Sequence, residues 1–84
     1  MDVDVVHRPE HSRFEAEVKG GTAVLVYEQR GDTVVMLHTV VPYEAEGQGV
    51  GSALAGTAVG WARSEQLQIE PQCSYVRAWL ERHG

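Results

Sequence analysis

The chain is short of cations, of cysteine and of long apolar runs, and each shortage removes a class of function. Lys and Arg together number seven against twelve Asp and Glu, a formal charge of −5. Nucleic-acid binding through a basic face needs clustered cations, and these are spread along the chain, so no nucleic-acid partner is expected. One cysteine, Cys73, leaves an internal disulfide nothing to join, and the four histidines are too scattered to complete a metal site with it. No segment approaches the roughly 18 apolar residues of a membrane span. The first residues alternate Asp and Val and lack the basic end and apolar run of a signal peptide. A cytoplasmic protein with no metal and no membrane partner is therefore expected, and 84 residues predict one domain over residues 1–84.

What is present is an ordered succession of periodicities. Val3 and Val5 alternate with Asp2 and Asp4, which predicts a short edge strand ending before Pro9. Phe14, Ala16 and Val18 alternate with Arg13, Glu15 and Glu17, the pattern of a strand with one wet face. After a Gly20-Gly21 turn, Thr22 to Glu28 is apolar on both faces and is expected to be covered on both sides. Arg30-Gly31-Asp32 makes the next hairpin. Thr33 to Val41 is β-branched and apolar, the central strand, and Pro42 ends it by removing a ladder donor.

From Gly49 the period changes. Val50, Leu54, Ala58 and Trp61 fall on one helical stripe running to about Glu65, with Gly56 and Gly60 inside it. Each glycine costs about 1 kcal/mol against alanine in a helix, which predicts close backbone approach to the sheet. Leu67 to Glu70 is a short strand ended by Pro71, and Ser74 is expected to cap a last helix carrying Val76, Trp79 and Leu80.

Strand, loop, helix and strand make a crossover unit, and ligands bind where such a strand's carboxyl end meets the next helix. Here that junction is Glu46-Gly47-Gln48-Gly49-Val50-Gly51-Ser52. Glycines at alternate positions remove the Cβ atoms that would hold an anion off the backbone, leaving N–H groups free at the positive end of a helix. The loop is thus either an anion cradle or only a sharp helix start. A phosphate-loop motif would require a lysine after the glycines, and the only one is Lys19; the dinucleotide fingerprint would need a glycine at Ser52.

The stretch Leu37-His38-Thr39-Val40-Val41-Pro42, followed by Gly47-Gln48-Gly49-Val50-Gly51-Ser52-Ala53-Leu54, resembles the acetyl-CoA motif of the GNAT superfamily of N-acyltransferases. With Phe14-Glu15 and Pro71-Gln72-Cys73-Ser74-Tyr75 it is similar to the very short stand-alone GNAT-like domains, over nearly the whole chain. The resemblance implies an α/β fold: a mixed, largely antiparallel sheet with two main helices, one on each side, truncated relative to the full superfamily fold. It implies acetyl-CoA as cosubstrate, transferred to an amine on a small molecule or a protein. The backbones of Val40 and Val41 would hold the pantetheine arm, and Gly47, Gln48, Gly49, Val50, Gly51 and Ser52 the pyrophosphate. The superfamily motif usually begins with Arg or Gln, whereas Glu46 stands here. The helices that shape the acceptor pocket are reduced to Arg8 to Ser12, so the acceptor side is expected to be open or completed by a second copy, the protein being a monomer or a homodimer.

Acyl transfer needs a deprotonated amine and a proton for the departing thiolate. Cys73, just before the last helix, is either an acyl acceptor activated by the helix N-terminus or a small buried hydrophobe. Tyr75 corresponds in the resemblance to the tyrosine that protonates the thiolate, or packs in the core. His38, mid-strand among apolar residues, is expected to be a buried core histidine, with a base near the thioester as the functional alternative. Two further readings stand beside the transferase: a CoA-binding module with little or no catalysis, and an interaction domain without a ligand.

Overall fold

A computed structural model describes residues 3–83. Five strands form one sheet in chain order: β1 (Val6–Arg8), β2 (Arg13–Val18), β3 (Gly21–Arg30), β4 (Thr33–Val40) and β5 (Gln68–Pro71). The first four pair antiparallel through hairpins, and β5 joins β4 in parallel. A parallel return needs a crossover, and helix α1 (Val50–Ser64) supplies it. Helix α2 (Ser74–His83) follows β5. The expected α/β class, mixed sheet and two main helices are all present.

The core lies between one sheet face and the helices. Phe14, Ala16, Leu25, Val34 and Met36 point from the sheet toward Leu54, Ala58 and Val59 of α1 and Val76 of α2. Each large side chain fully buried there contributes about 2 kcal/mol. The helical stripe foreseen from Val50 to Ala58 is the buried face of α1.

Four expectations change. Val3 and Val5 do turn inward and Asp4 outward, but ladder pairing with β2 begins only at Val6, and Asp2 lies outside the described residues. The helices do not flank the sheet: both pack on the same face and touch each other, Tyr75 and Trp79 of α2 lying against the backbone of α1 at Gly51 and Gly56. Gly56 therefore approaches the neighbouring helix and not the sheet, while Gly60 faces open space. The second sheet face carries no helix, so Val24 and Val26, expected to be covered on both sides, remain half-buried, and Val40 is 55% exposed. Arg8 and Arg13 both pair with Glu15 on that face, and Arg30 pairs with Glu28. Burial works to raise the Glu15 carboxyl, but hydrogen bonds from the two arginines outweigh it and leave it below the usual carboxylate range.

One irregularity decides what the sheet presents. Val26 pairs with His38, yet Tyr27 pairs with Met36, so Leu37 is an extra residue on β4. Such a bulge shifts side-chain alternation by one. Val34 and Met36 point into the core before it, and Thr39, opposite buried Leu25, points inward after it.

Candidate functional site

The parallel ladder ends early. Its last pair is Met36 with Pro71, after which the N–H groups of Gln72 and Cys73 both donate to the Met36 carbonyl at 3.0 Å. From Leu37 onward β4 runs without β5 beside it, while the chain after Pro71 turns into α2. A groove of about 240 Å³ opens in this gap, between Leu37, His38 and Thr39 on one side and Gln72, Cys73 and Tyr75 on the other. An uncovered strand edge offers main-chain donors and acceptors at strand spacing, which suits an extended amide-bearing chain.

Cys73 is 4% exposed, and its Sγ lies 3.0 Å from Thr39 Oγ1, bridging the two sides of the gap. The first helical bond of α2 runs from the Arg77 N–H to the Cys73 carbonyl, so Cys73 occupies the cap position and Ser74, expected there, is the first helical residue. His38 is not the buried core histidine expected from its apolar neighbours. The Leu37 bulge turns it onto the uncovered face opposite Val26, where it is exposed. Tyr75 is 40% exposed, one side of its ring set against Gly51, where a Cβ would collide with the ring carbons Cδ1 and Cε1.

Tyr75 also borders a second cleft, about 290 Å³, which lies over the glycine loop. Val41, Glu46, Gly47, Gly49, Gly51 and Ser52 line it from the loop side. Gly47 and Gly49 adopt φ of +79° and +81°, the left-handed region that costs any other residue about 1 kcal/mol or more, and both face open space. Gly49 is the cap of α1 and offers no side chain to it. The first bonded amide of the helix is Ala53, donating to the Gly49 carbonyl at 3.0 Å, which leaves Val50, Gly51 and Ser52 N–H groups without helical acceptors. Free amides at a helix N-terminus fit a phosphate.

Most of the residues expected at the site are thus brought together along one path: the loop and Val41 at one end, Tyr75 between, His38 and Cys73 at the other. Val40 ends β4 beside it. Gln48 instead borders a larger cavity of about 710 Å³, with Val3, Val18 and Glu17. Three residues were missed. Thr39 was hidden by the bulge. Ala78 and Arg82 line the loop cleft with Tyr75, and their spacing of three and four residues is the signature of one helical stripe that the sequence did show.

Among the described residues no helix is long and apolar enough to cross a membrane. A family model described as GCN5-related N-acetyl-transferase matches residues 13–84. No curated protein matches the chain.

Proposed function

The chain belongs to the GCN5-related N-acetyltransferase family, and on that premise we propose that it transfers an acyl group from a CoA thioester to an amine. The observation that carries this reading is the pair of clefts that meet at Tyr75, one over the uncapped amides of α1 and the other at the open edge of β4 past Leu37. Gly47, Gly49, Val50, Gly51 and Ser52 would hold the pyrophosphate, with Gln48 contributing its backbone alone. Val40 and Val41 would bond the pantetheine amides, and the thioester would lie in the gap beside Thr39 and Cys73. Glycines suit this role because side chains at 47, 49 and 51 would obstruct the anion or the Tyr75 ring.

The acceptor amine approaches from the uncovered sheet face. As its nitrogen bonds to the acyl carbon, His38 on that face takes the proton the nitrogen loses; as the carbon–sulfur bond breaks, Tyr75 gives its phenolic proton to the sulfur. The Tyr75 oxygen then regains a proton from solvent, to which His38 gives up the one it took. Cys73 is buried and tied to Thr39, which favours a positioning part over that of an acyl carrier. With no helix over the acceptor side, the protein takes amines on small molecules or on protein side chains without an enclosing pocket.

A second reading, a CoA-binding module without turnover, is favoured by Glu46 in the phosphate cleft and by the bare acceptor face. Two measurements separate the readings. A ligand of the native state raises the melting temperature by mass action, so CoA and desulfo-CoA are expected to stabilise the protein more than ADP or ATP. Acetyl-CoA with a panel of amines, lysine peptides and polyamines included, is expected to release free thiol. Stabilisation without thiol release would establish the module, and no stabilisation by any of these ligands would end both readings.

A further inference from the structure

Resting on the reading that the loop cleft holds a phosphate-bearing thioester, we infer that Arg82 of α2 supplies the positive charge that the loop itself lacks. The cleft has two charged side chains at its wall, Glu46 from the loop and Arg82 from the last turn of α2. They come from different elements, one just before α1, the other after Tyr75 and Ala78 on the same helical stripe of α2. Among the described residues neither Glu46 nor Arg82 takes part in an ion pair. A diphosphate bound to the amides of Val50, Gly51 and Ser52 carries more charge than the fractional dipole of one helix end offsets. Glu46 adds repulsion. A guanidinium at the cleft wall offsets both, and its fork matches phosphate oxygens.

The placement has a second consequence. Arg82 and Tyr75 stand on the same helix and line the same cleft, so phosphate recognition and the position of Tyr75 are linked through α2. Arg82 is then a specificity residue that favours CoA thioesters over thioesters of shorter, phosphate-free thiols. An ordinary alternative exists, since a cation in the last turn of a helix also complements its dipole. That role would show in stability and not in ligand affinity.

The test is calorimetric titration of the intact chain with CoA, on the native protein and on R82Q, R82K and the double variant E46R/R82Q, each checked for an unchanged melting temperature without ligand. Removing one guanidinium–phosphate contact is expected to weaken CoA binding about tenfold in R82Q, with R82K, which keeps the charge but not the fork, falling between R82Q and the native protein. Raising salt is expected to weaken the native protein more than R82Q. E46R/R82Q, which moves the cation to the loop, is expected to recover affinity, a result that a purely structural Arg82 would not give. Should the native protein bind CoA and R82Q bind it equally well, the inference about Arg82 is wrong while the phosphate site stands. Should the native protein bind no CoA, the site itself is wrong.

Discussion

Thr39 Oγ1 and Cys73 Sγ lie 3.0 Å apart across the gap where β4 and β5 separate. One residue comes from a strand beyond its bulge, the other from the cap of α2, so this contact sets how far the two walls of the groove stand apart. It is the structural counterpart of the hydrogen-bonded ladder that ends at Met36 and Pro71.

If Cys73 positions the walls and carries no acyl group, Cys73→Ala is expected to retain most of the turnover and to show no loss of stable acyl labelling relative to the native protein. Its stability cost is about 1 kcal/mol, from a small cavity and the lost contact to Thr39. Mass spectrometry after incubation with acetyl-CoA and steady-state thiol release check this. A drop in turnover on the order of a thousandfold, together with loss of a labelled species, would instead make Cys73 the nucleophile.

The two glycines inside α1 are expected to respond in opposite ways. Gly60 is exposed, and an added methyl group would meet nothing within 4 Å, so Gly60→Ala removes only the backbone-entropy cost of glycine in a helix. It should stabilise the protein by about 0.5–1 kcal/mol, a rise of a few degrees in melting temperature. At Gly56 the methyl group would lie 3.0 Å from Trp79 Nε1, so Gly56→Ala requires the Trp79 ring to give way slightly in a packed seam and should give no gain or a loss. Thermal unfolding of the two variants compares them directly.

His7 makes stability depend on pH. Its ring stacks on Phe14 at 4.2 Å between centroids, meets Trp61 edge-on, and bonds the Tyr27 hydroxyl through Nε2 at 2.7 Å. Burial among these rings lowers its pKa below the ordinary histidine value of 6.5, against a smaller opposing pull from Glu10. Below 6.5 the unfolded chain binds a proton that the folded one resists, so His7 costs stability as pH falls toward the folded pKa and costs nothing above 6.5. The urea midpoint is expected to fall between pH 7 and pH 5, and His7→Phe should flatten that part of the curve. An equal slope in the variant would assign the pH dependence to other groups.

Much of this protein was legible in its residues. Alternation in Arg13 to Val18, the switch to helical spacing at Val50 and the turn residues between them gave the elements and their order, because each period follows from local backbone geometry. The glycine loop was legible for the same reason: positive φ at Gly47 and Gly49 and a bare helix start are local properties. Even the stripe Tyr75, Ala78, Arg82 stood in the sequence, although nothing there said what it faced.

What the residues could not fix was relative placement. Leu37-His38-Thr39-Val40 reads as ordinary strand, and only pairing with β3 inserts Leu37 as the extra residue, sending His38 to the open face and Thr39 to Cys73. Likewise the apolar stripes of α1 and α2 required a partner without naming it; packing chose one shared sheet face, with Gly51 and Gly56 receiving Tyr75 and Trp79. Periodicity fixes which side of an element is buried, since that depends on neighbours along the chain. Register and docking depend on contacts between segments distant in sequence, and these came only with the assembled fold.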